Sequence, residues 1–496
     1  MKIFNAAALR AWDEFTMGEL SLDRADLVNR AALACYNWLE KNLPHINHFH
    51  IWCGPGYNGA DGLALALLLT SNGYKVKVIV LQASSLAEKT PEETQQQLAD
   101  NGIEYTIMDN RAEFSPPRED ALIIDALFGS GLNRKPEDIY ARMIIYLNSL
   151  PNLRVSLDVP SGMFTDESSK ENDMVKADYT LSFETYKLCL LLAENAAFTG
   201  VIIILAIGLA PSFPQETNME IITDQEAGIC YKPRPAFSHK GNFGHAKILA
   251  GSFGMMGAAV LAAKGCMAAG AGKLTCIIPK CGYDILQTVL PEAMSQVSGN
   301  KSIKETGSLE NISVVAAGPG ISLKKQNKTW LAPLFTLRIP LILDADGLTI
   351  LSKNMDWLNK KTSQILITPH PKEFDALFGT SKNDFDRLNK AIEAAQKFHI
   401  YILLKGHYTA ICTPEGKIYF NNTGNSGMAK AGMGDALTGI ITGLVCSGYA
   451  LPEAARLGAW LHGKAGDIAK EKYSAEAMQA SDLLNCMGAA WKLLNQ

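Results

Sequence analysis

The chain has 496 residues, 47% hydrophobic and 19% charged, with a formal net charge of −4. That length exceeds one ordinary core, so two or more domains are expected. No Lys/Arg-rich block or basic stripe accompanies the slightly acidic balance, which argues against a nucleic-acid partner.

The opening, Met1-Lys2-Ile3-Phe4-Asn5, lacks a long apolar run, and the most apolar stretches, such as Val201–Ile207, are only strand-length. No secretory leader and no membrane span are expected. The ten cysteines include no Cys-x-x-Cys pair, and Cys53, Cys276 and Cys446 lie in apolar segments. Reduced thiols in a cytoplasmic protein are the simplest reading. His45, His48 and His50 are close in sequence without a nearby carboxylate, so a polar loop is expected there and not a metal site.

Apolar runs at Phe49–Cys53, Lys75–Leu81, Ala121–Leu127, Arg154–Val159 and Tyr179–Phe183 predict buried parallel strands, with helices such as Ala60–Ser71 and Pro91–Asn101 between them. This is the pattern of a doubly wound α/β sheet, whose ligands bind beyond the C-terminal strand ends. Prolines bracket 212–232, read as a linker. A second α/β series follows: strands at His245–Ala250, Lys273–Ile278, Ser313–Ala317, Pro340–Leu343, Gln364–Thr368 and Tyr401–Lys405, then a hairpin of Thr409–Cys412 and Lys417–Phe420. Helices at Asp435–Cys446, Pro452–Glu471 and Ala480–Leu494 close the chain. Small residues over Ala258–Ala271 suit either subunit packing or core.

Three motifs of the first half fall at strand ends. Gly54-Pro55-Gly56-Tyr57-Asn58-Gly59-Ala60-Asp61-Gly62 follows a strand and opens a helix, where polar or phosphorylated ligands bind. Its spacing is not Gly-x-Gly-x-x-Gly, so an ordinary dinucleotide fingerprint is not supported. Asn58 and Asp61 can hydrogen-bond a ligand or ligate a hard cation. Asp125-Ala126-Leu127-Phe128-Gly129-Ser130-Gly131 and Asp158-Val159-Pro160-Ser161-Gly162 add an acid each.

In this order these motifs resemble the NAD(P)H-hydrate epimerase family over residues 1–212, which implies a Rossmann-like fold and interconversion of R and S nicotinamide hydrates. The resemblance implies potassium held by Asn58, Asp125 and Ser161. It implies substrate contacts from Tyr57, Asn58, Gly59, Ala60 and Asp61, from the loop Gly129, Ser130, Gly131, Leu132, Asn133, Arg134 and Lys135, and from Asp158. Asp158 is the expected acid/base, since remaking a C–O bond needs proton transfer. Lys187 adds charge near the phosphates or is a solvated strand-end lysine. The family usually has Asn at Tyr57 and Gly at Ala60.

The second half carries the densest motif, Asn425-Ser426-Gly427-Met428-Ala429-Lys430-Ala431-Gly432-Met433-Gly434-Asp435. Glycines before a helix leave backbone N–H groups bare, and the helix N-terminus adds positive potential, so the turn suits an anion. Asp435 can then accept a hydroxyl proton while amides stabilise a transferring phosphoryl group. A plain helix N-cap is the structural alternative. Strand-end motifs at Gly251–Ala259, Gly318-Pro319-Gly320, Asp344-Ala345-Asp346-Gly347, Thr368-Pro369-His370-Pro371 and Lys405–Thr409 complete a crevice.

Together these motifs resemble the NAD(P)H-hydrate dehydratase family over residues 230–496, implying a ribokinase-like fold. The resemblance implies that Ala258, Gly320, His370 and Asp435 contact the hydrate, with Asp435 as base and the amides of Gly432, Met433 and Gly434 as anion hole. It implies that Lys405, Gly406, His407, Tyr408, Thr409 and Gly434 contact the adenine nucleotide. Asn425 and Glu373 are expected to orient magnesium through water. The family more often has Pro at Ser426, Ser or Thr at Lys430 and Gly at Ala431.

The expected protein is thus a bifunctional repair enzyme acting on NADHX and NADPHX, with ADP as phosphate donor by analogy with fused bacterial relatives, and a homo-oligomer. The competing expectation is a ribokinase-like kinase of a small alcohol with a non-catalytic nucleotide-binding N-terminal half.

Overall fold

The computed structural model describes residues 1–81, 91–108 and 113–494. They form two compact units, one covering Lys2–Thr217 and the other Asn218–Lys382 with the chain from Asp386 onward.

In the first unit, strands β1 (His48–Cys53), β2 (Lys75–Leu81), β3 (Glu104–Met108), β4 (Leu122–Ala126), β5 (Arg154–Leu157), β6 (Tyr179–Phe183) and β7 (Val201–Leu205) lie in the order β3-β2-β1-β4-β5-β6-β7. Every pairing is parallel. β1 and β4 are buried nearly throughout, as a sheet covered on both faces requires. The sequence reading omits β3, whose half-exposed Glu-Tyr-Thr-Ile-Met carries little apolar signal. Strand order reverses between β1 and β4, the place where doubly wound sheets open a crevice. Helices α1 (Ala6–Leu20), α2 (Arg24–Asn42) and α3 (Tyr57–Ser71) border it. α3 begins three residues before the expected Ala60, so the Tyr57–Asp61 motif is the first helical turn and not a loop.

The second unit contains β8 (Met219–Ile222), β9 (His245–Leu249), β10 (Lys273–Ile278), β11 (Met294–Val297), β12 (Val314–Ala317), β13 (Leu341–Leu343), β14 (Ile365–Ile367), β15 (Tyr401–Leu404), β16 (Thr409–Cys412) and β17 (Ile418–Asn421). Their order is β8-β17-β16-β15-β14-β13-β12-β9-β10-β11. The strands from β9 to β15 pair in parallel, and β15, β16 and β17 form an antiparallel meander. β8 corrects the linker expected at 212–232, as does a helix at Asp224–Cys230. The helix start was readable: Thr223 and Glu226 form a reciprocal capping box.

Helices α4 (Met256–Ala268), α5 (Pro371–Phe378), α6 (Met433–Cys446), α7 (Leu451–Tyr473) and α8 (Ala480–Leu493) are among those of this unit. Ala259, Ala262, Ala263 and Cys266 of α4 join Ala436, Ile440 and Ile441 of α6 in one buried core. The small residues of α4 are therefore core, and they let the two helices approach closely. All ten cysteines are free. No helix among the described residues is long and apolar enough to cross a membrane.

Candidate active sites

The first crevice is made by close backbone approach. A Cβ on Gly54 would lie 1.8 Å from the Leu127 carbonyl oxygen, so only glycine lets the β1 and β4 ends meet. α3 starts behind it without a side-chain cap, leaving its first amides toward the crevice.

Asp125 is fully buried at the end of β4. Its carboxylate accepts the Ser156 hydroxyl at 2.7 Å and the Ser161 backbone N–H at 2.9 Å, and the Ser161 hydroxyl on its other oxygen. Burial pushes its pKa up against these hydrogen bonds. The Asn58 amide is buried, and neither its nitrogen nor its oxygen has a partner. An unsatisfied buried amide is costly unless something else occupies it.

Asp158 follows β5 with φ +65°, a left-handed conformation that a β-unbranched acid tolerates. One carboxylate oxygen lies 2.6 Å from Lys187 Nζ and the other accepts the Ser130 N–H at 2.8 Å. Burial raises its pKa, but the Lys187 charge and these bonds outweigh that and hold it below the usual range. Lys187 is 2% exposed and also donates to Ser182 Oγ and the Phe183 carbonyl. The solvated-lysine alternative is thereby removed.

A cavity of about 450 Å³ joins Tyr57, Asn58, Asp61, Gly129 to Arg134, Asp158 and Lys187. Gly59, Ala60 and Lys135 do not line it. Gly59 is turned into the sheet, where a Cβ would meet the Gly54 carbonyl oxygen at 1.9 Å, and Ala60 is core. Asp125 and Ser161 also lie outside the lining. The cavity also contains Arg10, Asp13 and Arg24 of α1 and α2, which the motif reading missed. Arg24 stacks its guanidinium 4.5 Å above the ring of Tyr57, which is 55% exposed. Burial pushes Asp61 well up, with Asp158 and Asp13 adding to the rise.

In the second unit the Gly-rich turn runs into α6. Gly432 has φ +92° and caps α6 with no side-chain hydrogen bond, and the Met433 N–H at the helix start reaches only the Lys430 carbonyl, at 3.5 Å. Asp435 sits in that first turn. Burial raises its pKa to about 6, with Asp344 and Asp346 raising it and Lys405 lowering it. Lys405 Nζ is 2.8 Å from Asp344 Oδ1, and the Thr438 hydroxyl donates to Asp344 Oδ2 at 2.8 Å. A Cβ on Gly434 would stand 3.4 Å from that ammonium, so Lys405 lies against the turn.

A cavity of about 510 Å³ is lined by His370, Lys405, Gly406, His407, Thr409, Gly434 and residues from Asn421 to Met433 and Ala459 to Gly463. Tyr408, Asp435, Ala258 and Gly320 do not line it. Ala258 and Gly320 adjoin each other, since a Cβ on Gly320 would be 3.1 Å from Ala258 Cβ. Asp435 instead faces the Asp344–Asp346 strand end electrostatically. Lys405 links the two, lining the cavity while bonded to Asp344 at the strand end.

His370 caps α5: its Nδ1 accepts the N–H groups of Lys372 and Glu373, and Glu373 accepts the His370 N–H at 2.8 Å. With Nδ1 accepting, a ring proton resides on Nε2. The bracing reading and the ligand reading of His370 therefore coexist. Asn425 accepts from the Gly427 N–H and donates to Asp467. Asp467, absent from the sequence reading, also accepts the Gly424 N–H and so clamps the turn from α7. Elsewhere, His48 pairs with Asp120 at 3.4 Å. No group of three His, Cys, Asp or Glu among the described residues is arranged to hold a metal.

Comparison with known proteins matches residues 246–488 to the NAD(P)H-hydrate dehydratase family model and 24–189 to the YjeF-related protein N-terminus model. The chain is 32% identical to a bifunctional NAD(P)H-hydrate repair enzyme of Thermofilum pendens, over 90% of this chain and 87% of the relative. It is also 32% identical to one of Moorella thermoacetica, over 98% and 96%. A ribokinase-like superfamily protein of Enterococcus faecalis superposes with TM-score 0.50 at 24% identity, covering 56% of this chain and 98% of that one. An ADP/ATP-dependent NAD(P)H-hydrate dehydratase of Bacillus subtilis, co-crystallised with ATP and Mg2+, is 31% identical with TM-score 0.49, covering 56% and 100%.

Proposed function

The chain belongs to the bifunctional NAD(P)H-hydrate repair enzyme family, and from that premise we propose how its sites divide the work. It is an enzyme that repairs hydrated nicotinamide nucleotides, epimerising R and S hydrates and dehydrating the S form to NADH or NADPH. Residues 1–212 carry the epimerisation and 230–496 the dehydration.

In the second site, Asp435 takes the proton of the C6 hydroxyl as its oxygen attacks the terminal phosphorus of the nucleotide. The bond to the leaving nucleotide breaks, and the amides of Gly432 and Gly434, with the Met433 N–H once it turns from the Lys430 carbonyl, join the Lys405 ammonium in holding the charge that develops on the phosphoryl oxygens. The ring nitrogen lone pair then expels phosphate from C6, and loss of a C5 proton restores the double bond. Asp435 suits the first step because a base titrating at about 6 is ionised at neutral pH yet still basic. Lys405, Gly406, His407, Thr409 and Gly434 contact the nucleotide, for which ADP is our reading of the donor. His370 Nε2 and the Ala258–Gly320 contact receive the hydrate.

Magnesium fits as a companion of the nucleotide phosphates and not as an ion held by Asn425, whose amide is committed to Gly427 and Asp467. Glu373 is likewise engaged by the His370 N–H, so no step is assigned through the metal.

In the first site, Asp158 is the acid/base, and Tyr57, Asn58, Asp61 and Gly129 to Arg134 contact the hydrate. Potassium is our reading for Asn58, Asp125 and Ser161: the orphaned Asn58 amide offers its oxygen, and a carboxylate and a hydroxyl that here bond each other would complete the set. Bound there, it would supply positive charge and orient the substrate.

The observation that carries the reading is Asp435 in the first turn of an uncapped helix whose amides adjoin the Lys405 ammonium. Incubating S-NADHX with ADP and following the dihydronicotinamide absorbance tests it. Failure to recover NADH contradicts it.

A further inference from the structure

The epimerase reaction poses a requirement that Asp158 alone does not meet. Inverting C6 means that oxygen leaves from one face of the ring and returns to the other. One group must protonate the departing hydroxyl, and another must take a proton from the incoming water. Asp158 is fixed in place by Lys187 at 2.6 Å and by the Ser130 N–H at 2.8 Å, so it cannot swing to serve both faces of the ring.

The same cavity has a second wall built from α1, which contributes Leu9, Arg10 and Asp13, whereas Asp158 and the Gly129–Arg134 loop come from strand ends. Arg10 is tied to the Gly131 carbonyl at 3.0 Å. The Asp13 carboxylate is half-buried, and among the described residues its one ion-pair partner is Arg24, at 3.9 Å, beyond hydrogen-bond range. It is therefore free to engage a ligand.

We infer that Asp13 is a second catalytic carboxylate of the epimerase site, exchanging a proton with the C6 oxygen from the α1 wall while Asp158 works from the strand-end wall. In the forward direction Asp13 gives its proton to the C6 hydroxyl. The C6–O bond breaks, water departs, and the N1 lone pair forms an iminium. Water then adds to the opposite face and loses a proton to Asp158, the iminium electrons returning to nitrogen. Exchange with solvent then takes the proton from Asp158 and returns one to Asp13, closing the cycle; reversal exchanges the roles, and no oxidant or co-reactant is consumed.

The electrostatics agree. Burial raises the Asp13 pKa to about 6, with Arg24 and Lys187 lowering it and Asp158 and Glu14 raising it. Asp61, Arg10 and Arg134 are the remaining charged groups lining that cavity. Asp158 is held low, so two carboxyls of one cavity are driven apart in acidity, the condition for an acid and a base to coexist.

The inference rests on the epimerase reading of this cavity. Its test uses the full chain without ADP, pure R-NADHX, and chiral chromatography to follow appearance of the S form from pH 5 to 8. Asp13→Asn should slow the catalysed rate by at least about 100-fold, keep substrate affinity within threefold, and abolish the pH dependence centred near 6. Asp13→Glu should restore part of the rate together with the pH dependence. Asp13→Asn at the wild-type rate, or a loss of rate matched by loss of binding, overturns the role of Asp13 alone. A wild-type chain no faster than the uncatalysed conversion overturns the epimerase reading and this inference with it.

Discussion

Lys405 and Asp344 lie 2.8 Å apart although they stand 61 positions apart in sequence, and the pair sits against the Gly-rich turn at Gly434. Asp344 is 1% exposed and its other oxygen is held by Thr438, so it has no freedom to leave. Its role is to fix the ammonium of Lys405 beside Gly434 and to raise the pKa of Asp435.

Asp344→Asn removes one negative charge from this group. Asp435 then loses a neighbour that raises its pKa, so the acid limb of the dehydration profile moves to lower pH. Lys405, no longer clamped, holds the nucleotide less well, and kcat/KM for ADP falls by roughly 10-fold or more. Rate–pH profiles of variant and wild type check both outcomes. An unchanged limb would show that Asp344 is only a packing residue.

Asp435→Asn keeps the shape of the turn and removes the base. Dehydration should drop by at least about 100-fold while ADP affinity by calorimetry stays within a few-fold. In the wild type, the rate should fall as pH drops through about 6, because protonated Asp435 cannot accept the hydroxyl proton.

The buried Lys187–Asp158 pair predicts a stability pattern. Lys187→Met leaves Asp158 buried without its cation and should cost about 3–5 kcal/mol, read as a lower denaturation midpoint of the first unit. The double change Lys187→Met with Asp158→Leu should recover much of that loss. Asp158 titrates below its unfolded value, so its contribution is present above the ordinary carboxylate range and lost as pH falls through the folded value.

Potassium dependence separates the two activities. Replacing potassium by tetramethylammonium should depress epimerisation and leave dehydration of pure S-hydrate unchanged. Asn58→Ala should raise the potassium concentration for half-maximal epimerisation by roughly 10-fold or more. Equal loss in both activities would contradict the assignment of the ion to Asn58.

Much of this was legible in the sequence for physical reasons. Gly54 and Gly432 mark places where backbone must approach backbone or leave amides bare, and such needs are written directly as glycine. Asp125, Asp158, Asp435 and Lys405 lie at strand ends or helix starts, which apolar runs locate. What stayed hidden depends on strand order. Asp344 stood in a noted motif, but its bond to Lys405 exists only because β13 and β15 flank β14. Asp13 and Asp467 lie inside amphipathic helices, where an acid looks like any solvated residue until the fold turns it to a cavity or turn. Lys187 looked equally suited to solvent, and only the closing of β6 over β5 shows it buried. Gly59, Ala60 and Lys135 went the other way: motif membership suggested contact, whereas helical geometry turns the first two into the sheet.

In the proposed dehydration, phosphate is put on the substrate in order to be expelled. The most direct measurement gives the purified chain S-NADHX, ADP and magnesium and quantifies NADH, AMP and inorganic phosphate together. Formation of the three in equal amounts is the predicted result. A stable phosphorylated product with AMP released and no NADH recovered would contradict the account and mark the second site as that of a simple kinase.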